Sequence, residues 1–542
     1  MEFDYIIVGA GSAGCVLARR LAEAGTASVL LLEAGGSDSW PSLRVPIGYG
    51  RSFYNPRVNW MYRTEPDPML DDRRGYWPRG RVLGGSSTIN AMVYVRGLPG
   101  DFDDWRDAGN PGWGWQDVLP YFRQLETFSG GDDPARGRSG PLHVADVSAE
   151  CHPLCTNFLR ACEEAGFPRT GDINGGQPEG VGYYQITTHR GLRESAARAF
   201  LHPIARHGNL RIERHARVLR VTIAGMRAVG VTFRQGREDH QVTARREVLL
   251  AAGAINTPQL LQLSGVGPAA LLRQYGIPVA LDLPAVGRHL QDHLCIDHLF
   301  RTSVSTLNQA LGRASGQVLA ALRYGLWRRG PLALSVNQAG GFVRSQRDQP
   351  RPDMQLYFSP LSYTRGTPGR RALMRPDPFP GVLLSAQPCR PRSRGCIDIQ
   401  SPDPLASPRI AANALSHSDD QDALLRAQHL LRRIAAAPAM REIIVEDLHP
   451  GPHCSGDAAL IADMRARAST VFHPVGTCRM GADPATSAVD PALRVHGIAG
   501  LRVVDASVFP SVTSGNTNAP VMMVAEKAAS LILATRATAA MP

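Results

Sequence analysis

The stretch FDYIIVGAGSAG, residues 3–14, decides the fold of this 542-residue chain. Its first half, Phe3 to Val8, is rich in aromatic and β-branched residues and predicts a buried strand, and the glycines that follow predict a tight turn into a helix. Ser28 to Leu32 predicts a second strand, and Glu33 follows at the spacing of an acid that binds ribose hydroxyls. The alternative is a glycine turn followed by an incidental glutamate. Strand, turn, helix, strand and acid together predict a dinucleotide site.

That unit serves NAD and FAD equally well, and a second segment separates the two. Residues 78–90 read PRGRVLGGSSTIN, in which four small or hydroxylated residues follow a glycine pair. Such a strip can pass flush against a flat ligand and donate hydrogen bonds to it. A nicotinamide site does not need one, so the segment favours a flavin.

Two later segments return to the same predicted domain. Residues 247–258, EVLLAAGAINTP, predict a buried strand that runs through Gly253 into a helix whose start is suited by Pro258. Residues 501–504 predict a further strand, which Asp505 closes. Because these segments lie far apart in the sequence, the dinucleotide domain is predicted to be discontinuous.

Composition indicates a soluble globular enzyme with more than one core. Hydrophobic residues make up 43% and charged residues 20% of a chain of 542 residues, which favours two domains. The formal net charge is +11, but the basic residues are nearly all arginine and are interspersed with acids. No basic run with interleaved aromatic residues occurs, so a nucleic-acid partner is not expected.

The nine cysteines are odd in number and scattered, which indicates reduced thiols rather than a disulfide framework. Cys151 and Cys155 flank His152, but no second ligand pair follows at zinc-site spacing, and we expect no metal. The chain shows no signal peptide and no apolar run of about 18 residues, so we expect a cytoplasmic protein. Val318 to Arg329 could lie as an amphipathic helix on the inner face of a membrane, but packing against its own domain is the interpretation that we favour.

These blocks, together with HPVGTCRMG at 473–481 and SGNTNAP at 514–520, resemble the glucose-methanol-choline (GMC) oxidoreductases over essentially the whole chain. The C-terminal segments resemble most the bacterial FAD-dependent alcohol dehydrogenases that pass electrons to a quinone, and somewhat less the choline dehydrogenases. The resemblance implies a noncovalent FAD, because Ile89 stands where some members carry a histidine that links the flavin.

The fold that the resemblance implies is α/β (α+β overall), with a discontinuous Rossmann-like FAD-binding domain and a substrate domain of a β-sheet plus helices. The FAD domain would comprise residues 1–148, 191–300 and 468–542, and the substrate domain residues 149–190 and 301–467. A mobile loop is predicted from Thr364 to Gly381, where proline, glycine and arginine are frequent.

The residues that the resemblance places along the FAD are Gly9, Gly11, Ser12, Ala13, Gly14, Glu33, Ala34, Arg81, Gly84, Ser86, Asn90, Val93, Val218, Gly253, Asp505, Ala506, Asn516, Thr517 and Asn518.

Alcohol oxidation removes a hydroxyl proton and a carbinol hydride, so the site needs a base beside the acceptor, flavin N5. A neutral imidazole suits the proton because its ordinary pKa of about 6.5 lies near working pH. We predict that His473, stiffened by Pro474, is this base, and that Asn516 hydrogen-bonds the substrate oxygen as charge develops. The structural alternatives are a core histidine and a turn asparagine.

The predicted reaction oxidises a primary alcohol, aliphatic or benzylic, to an aldehyde and passes electrons to a quinone-type acceptor. Val471 and Phe472 suggest an apolar substrate wall, and Gln338 stands where choline-specific members are expected to have an acid. The alternatives are an oxygen-using alcohol oxidase and a choline dehydrogenase. A fatty-acid photodecarboxylase, suggested by Cys389-Arg390-Pro391, and a redox-silent binding protein are more remote. Chain length of the substrate and oligomeric state stay open.

Overall fold

A computed structural model describes residues 1–25, 27–363 and 375–539, in which two large β-sheets are surrounded by helices. Residues 364–374 of the predicted mobile loop lie outside the described part of the chain. The longer helices are Ser12–Glu23, Pro99–Asp107, Trp115–Leu125, Leu154–Glu164, Gly253–Leu263, Ala314–Trp327, Ser418–Ala435, Asp457–Arg467 and Asn518–Ala539.

The first sheet assembles strands from three distant parts of the chain, as the sequence predicts. Its middle strands pair in parallel through residues 6–8, 30–32 and 248–250, which are apolar and buried, as expected where both faces of a sheet are covered. In spatial order the strands are Leu210–Arg214, Val29–Glu33, Glu2–Val8, Glu238–Leu250, Arg227–Gln235 and Ala216–Ala224, and Leu501–Val503 also pairs with Glu238–Leu250.

The first and last helices of the chain pack against each other beside this sheet. Ser12–Glu23 starts directly after the glycine turn and buries its apolar face, and Asn518–Ala539 lies along it. Arg20 of the first helix forms an ion pair with Glu526 of the last. The two ends of the sequence therefore meet at the glycine turn.

The helix that follows residue 252 differs from the prediction, because it begins at Gly253 and encloses Pro258. A proline has no N–H, so the carbonyl of Ala254, four residues earlier, loses its helical donor. The hydroxyl of Thr477 donates to that carbonyl at 2.6 Å instead. A side chain more than 200 residues away thus compensates for the proline, and the prediction that Pro258 suits the helix start was wrong.

The second sheet is antiparallel and brings two distant segments of the site together. Its strands in spatial order are Ala339–Val343, Met354–Ser359, Gly381–Pro388, Leu294–Thr302 and Ile444–His449. The short strand Ser469–Thr470 also pairs with Leu294–Thr302, with Leu294 opposite Thr470. The residues just before Leu294 and just after Thr470 are therefore neighbours in space.

The helix Ala314–Trp327 does not pack as the sequence predicts. Of its 14 residues only Ala320 and Tyr324 are buried, whereas Val318, Leu319, Leu322, Leu326 and Trp327 are exposed. The interpretation that this segment packs against its own domain was therefore wrong for its apolar face. No helix in the described ranges has both the length and the apolar character needed to cross a bilayer.

Candidate active site

A long cavity connects the glycine turn with the second sheet. Most residues predicted to contact the cofactor line it, and so do the two predicted catalytic residues, His473 and Asn516. The second sheet adds Cys295, Tyr357 and Ser385. The predicted residues that line the cavity are Gly9, Gly11, Ser12, Ala13, Glu33, Ala34, Ser86, Asn90, Val93, Val218, Gly253, His473, Asp505, Ala506, Asn516, Thr517 and Asn518.

Three predicted cofactor residues, Gly14, Gly84 and Arg81, lie outside the cavity lining. A Cβ on Gly14 would lie 1.9 Å from the Gly9 carbonyl oxygen, so Gly14 allows the helix to approach the turn. The N–H of Gly84 donates to the carbonyl of Ala10 at 2.7 Å. The Arg81 guanidinium lies over the Trp60 ring, 5.4 Å from its centroid. These residues shape the turn and the strip beside it.

Gly11 has no side chain although the protein itself leaves room for one. Its φ of −79° is open to any residue, and the nearest atom to a Cβ placed there would be the Ala251 carbonyl oxygen at 3.9 Å. The free space faces the cavity at the start of the helix Ser12–Glu23, where backbone N–H groups favour an anion. This arrangement fits a pyrophosphate that approaches the backbone closely.

Glu33 lies at the end of the second strand, with both carboxylate oxygens held. Its Oε2 accepts from the N–H of Ala10 at 2.9 Å and its Oε1 accepts from the N–H of Gly35 at 2.7 Å. Burial raises the pKa of Glu33 to about 7, although these two hydrogen bonds and the Arg81 charge oppose the shift. Each oxygen retains a lone pair that a ribose hydroxyl can reach from the cavity.

Asp505 and Asn518 tie the C-terminal segment to the rest of the site. Asp505 Oδ2 accepts from the N–H of Gly253 at 2.8 Å and from the hydroxyl of Thr257 at 2.6 Å. Asn518 Oδ1 accepts from the Ser12 hydroxyl at 2.7 Å, which links the start of the last helix to the glycine turn. Residues more than 500 positions apart in the sequence are thus hydrogen-bonded to each other in the cavity wall.

His473 is buried at the cavity with a partner on each ring nitrogen. Its Nδ1 lies 3.0 Å from Nδ1 of His293, and its Nε2 lies 3.1 Å from Nδ2 of Asn516. His293 Nε2 in turn lies 2.9 Å from the carbonyl oxygen of Cys389. The carbonyl can only accept, so it assigns the proton of neutral His293 to Nε2.

That assignment fixes the tautomer of His473. Because Nδ1 of His293 then carries the lone pair, Nδ1 of His473 must be the donor between the two rings. The lone pair of His473 is left on Nε2, where the Asn516 amide donates to it. The nitrogen that borders the cavity is therefore the basic one.

Burial keeps both histidines neutral. The pKa of His473 is well below its ordinary value of 6.5, chiefly because of burial and then because of the nearby His293 and Arg79. Burial also lowers the pKa of His293 to about 4. A neutral imidazole with its lone pair at the cavity can accept a proton from a ligand.

The sequence reasoning missed three groups that hold His473 in place. Asp292 Oδ1 accepts from the backbone N–H of His473 at 2.7 Å, and burial raises the pKa of Asp292 to about 6. Arg79 donates to the carbonyl of Phe472 at 2.6 Å, which holds Phe472 in a left-handed conformation with a φ of +71°. His293 is the third. The only sequence signal was the polar pair Asp292-His293 directly before an apolar strand.

Gln338 does not face the cavity. The prediction that its neutral side chain makes choline a less suitable substrate was therefore wrong. Its Oε1 accepts from the N–H of His152 at 2.7 Å, and its side chain is buried beside Cys155. The residues that line the cavity in this segment are Val336 and Asn337. The identity of residue 338 therefore says nothing about a substrate cation.

Cys389, which suggested a photodecarboxylase, also lies outside the cavity lining. It is fully buried, and it contributes its carbonyl to His293. All nine cysteines are free thiols, as the sequence predicts.

One group of possible metal ligands, His143, His189 and Glu194, occurs among the described residues, with ligand atoms within 4.8 Å of one another. The two imidazole rings are stacked, with centroids 3.7 Å apart and planes 13° apart. Lone pairs of nearly parallel stacked rings run side by side and do not converge on one ion. We assign no metal to this cluster.

Comparison with known proteins identifies the architecture. Two family models described as GMC oxidoreductase match residues 3–295 and 391–525. The alcohol dehydrogenase [acceptor] of Pseudomonas putida is 42% identical over 535 residues, 98% of this chain and 96% of that protein. Human mitochondrial choline dehydrogenase is 43% identical over 98% of this chain and 90% of its own length. The crystal structure of pyridoxine 4-oxidase from Mesorbium loti superposes with a TM-score of 0.87 at 30% identity, over 97% of this chain and 98% of that one.

GMC oxidoreductases are FAD-binding flavoproteins, and the cavity fits that cofactor. The space at Gly11, the acid at Glu33 and the helix start at Ser12 suit the ADP half. Asn516 Oδ1 is buried without a hydrogen-bond partner among the described residues, which leaves an acceptor for a ligand N–H or O–H. Ile89 lines the cavity without a nucleophilic atom, so it cannot bond covalently to the flavin.

Proposed function

The chain belongs to the GMC oxidoreductase family, and from that premise we propose that it oxidises a primary alcohol to an aldehyde with His473 as the base. The observation that carries the proposal is the tautomer of His473, which turns a basic nitrogen toward the cavity. FAD bound in the cavity supplies the acceptor for the carbinol hydride.

The residues of the chain handle the proton. In our proposal the alcohol hydroxyl takes the place of the Asn516 amide as the donor to His473 Nε2, and the proton passes to that nitrogen. The amide N–H of Asn516 then donates to the alcohol oxygen and stabilises the charge that develops there. His293 accepts from Nδ1 throughout, so the ring is held as the proton arrives.

The substrate end of the cavity is mainly apolar. Val471 and Phe472 line it beside His473, and the Phe472 ring packs against Phe53 with centroids 5.1 Å apart. Tyr357 and Leu383 extend this region from the second sheet, whose Asp297 and Ser385 also line the cavity. These walls favour an uncharged aliphatic or benzylic alcohol.

We propose that electrons pass to a quinone-type acceptor rather than to oxygen. The support is the 42% identity to a protein named alcohol dehydrogenase [acceptor], a name that specifies an electron acceptor. Choline oxidation is the second candidate, because a choline dehydrogenase is 43% identical.

We also propose the domain division 1–148, 191–300 and 468–542 for FAD, and 149–190 and 301–467 for substrate.

The test is an anaerobic panel of aliphatic, benzylic and furanic alcohols and choline, monitored by bleaching of the flavin absorbance. We expect bleaching with one or more primary alcohols and a much smaller response to choline. His473→Ala should keep the yellow cofactor and lose about 10²- to 10⁴-fold in reduction rate. His207→Ala, at an exposed histidine, is the matched control.

Near-normal reduction in His473→Ala would remove His473 from the base role. Faster bleaching with choline than with any uncharged alcohol would favour the second candidate. The acceptor is tested separately, since rapid peroxide formation in air during turnover would identify an oxidase.

A further inference from the structure

The helix Ala314–Trp327, which we call the exposed helix, concentrates apolar surface that nothing in the described chain covers. Its Val318, Leu319, Leu322, Leu326 and Trp327 are between 57% and 69% exposed. Twelve large hydrophobic residues are exposed in the described part of the chain, and five of them lie on these 14 residues. Scattered exposed leucines need no explanation, but a cluster of this kind indicates an interaction surface.

Four of the five exposed residues form one side of the helix, and Trp327, the last helical residue, lies beyond that side. At about 100° per residue, Val318, Leu319, Leu322 and Leu326 fall within an arc of about 100°. The buried Ala320 and Tyr324 lie on the opposite side, where the Tyr324 hydroxyl donates to the carbonyl of Gly191 at 2.9 Å. The helix is thus held to the body by its narrow back and presents its apolar side outward.

Arginines surround this apolar side. Arg323 lies on its flank, and Arg328 and Arg329 follow directly after Trp327, while the helix itself contains no acid. Glu150 lies 3.6 Å from Arg323 and 3.5 Å from Arg329. One carboxylate is shared between two of the three arginines, so the rim is net positive, as is the whole chain at +11.

We propose that the exposed helix is a docking surface for an anionic lipid bilayer, on which it lies flat. Its leucines and valine would enter the acyl boundary, and the arginines would contact the phosphate groups. A positive rim around an apolar face is complementary to a bilayer with anionic headgroups. A second copy of the chain would have to bring the same positive rim against itself.

The exposed helix is also connected to the active-site cavity. The chain after it forms the turn Pro331–Ala333 and then reaches Val336, which lines the cavity. Leu307, from the neighbouring helix Leu307–Gly312, packs in one apolar cluster with Tyr49 and Met92, two further cavity residues. If the proposed function holds, docking therefore places the cavity near the phase in which quinones and long-chain alcohols dissolve.

The test is co-sedimentation of the FAD-loaded protein with vesicles of equal parts phosphatidylcholine and phosphatidylglycerol. The wild type should sediment with them, less so at high salt and less with phosphatidylcholine alone. The double variant L322E/L326E should lose at least about tenfold in vesicle affinity. L405E/I461E, at exposed residues elsewhere, is the matched control and should bind like the wild type.

Removal of charge should have a separate effect. R328Q/R329Q should weaken binding to phosphatidylglycerol vesicles by roughly fivefold for each arginine, with little effect on pure phosphatidylcholine. All variants should retain the flavin spectrum and its bleaching by a water-soluble alcohol. Because sedimentation requires no alcohol, this result is independent of whether the proposed function is correct.

Two results would overturn the proposal. The first is that the wild type fails to sediment, or that L322E/L326E sediments equally well. The second is that light scattering shows a dimer that L322E/L326E converts to a monomer, because the surface would then be a contact between copies.

Discussion

At the residue scale, the chemistry of the site depends on which nitrogen of His473 carries the proton. His473 alone, as a motif residue, could carry it on either nitrogen. The carbonyl of Cys389 sets the proton on His293, and His293 sets the proton on His473. We therefore propose that His293 is a positioning residue. Sequence reasoning did not single it out, because its partner lies 180 residues away.

We predict that His293→Leu lowers kcat/KM by roughly 10- to 100-fold, because His473 loses the acceptor that fixes its tautomer. His293→Asn should retain the greater part of the activity, since the Asn Oδ1 can take the place of Nδ1 as acceptor. Both should keep bound FAD, as measured by the flavin spectrum. Equal activity of the leucine and asparagine variants would contradict the positioning role.

In the proposed mechanism, the pH dependence of the reaction follows from the buried environment of His473. His473 must be neutral to accept the proton, so activity is lost as the pH falls through the pKa of His473, which burial holds well below 6.5. We expect the acid limb of kcat/KM to lie below pH 6.5, measured with one alcohol and a dye acceptor. Flavin fluorescence at each pH controls for cofactor loss. An acid limb at or above 6.5 would show that another group titrates, with Glu33, at about 7, the first to examine.

At the element scale, the glycine turn contains one glycine that the fold requires, Gly14, and one that we expect the cofactor to require, Gly11. A Cβ at Gly14 would overlap the Gly9 carbonyl oxygen at 1.9 Å, whereas one at Gly11 would meet only an ordinary contact at 3.9 Å. We predict that Gly11→Ala folds with an unchanged circular dichroism spectrum but binds FAD at least about tenfold more weakly. Gly14→Ala should fail to fold or lose several kcal/mol of unfolding free energy. Unchanged FAD affinity in Gly11→Ala would mean that the pyrophosphate lies elsewhere.

The helix Gly253–Leu263 offers a second test at this scale. Thr477→Val leaves the buried Ala254 carbonyl without a donor and should lower the free energy of unfolding by about 1–3 kcal/mol. In a Pro258→Ala background the new backbone N–H at position 258 can donate to the Ala254 carbonyl. Thr477→Val should therefore lower the free energy of unfolding by about 1 kcal/mol less in that background. Urea unfolding of the four proteins gives the coupling energy. A coupling of zero would show that the hydroxyl and the proline act independently.

These elements also show which parts of the fold the sequence could predict. The strand, glycine turn and helix of residues 2–23 follow from local rules, and the prediction is confirmed. The prediction that Pro258 stands at the helix start was wrong, because the side chain that compensates for the proline, Thr477, lies far away in sequence. Helical periodicity over Val318 to Arg329 indicated the helix Ala314–Trp327, but periodicity shows only that an apolar side exists and not whether another element covers it. The division into domains stays a prediction, and its boundary at residue 300 falls within the strand Leu294–Thr302.

At the scale of the whole molecule, one cavity depends on both ends of the chain. Its wall combines residues 8–93 with residues 470–521, and Ser12 and Asn518 are hydrogen-bonded across it. FAD that fills this cavity binds only the folded chain, so it should stabilise the molecule as a unit. At a hundredfold excess over Kd the gain is ~2.7 kcal/mol.

We therefore predict that FAD raises the Tm of the cofactor-free protein by several degrees, measured by calorimetry, and that FMN raises it less. FMN lacks the ADP half, for which Glu33 and the glycine turn are suited. Glu33→Gln should reduce the gain from FAD and leave the gain from FMN unchanged, which separates loss of ribose binding from general damage to the fold. Equal rises in Tm with FAD and FMN in the wild type would place the ADP half outside the glycine turn. The assignment of residues 9–33 to the ADP half would then be wrong.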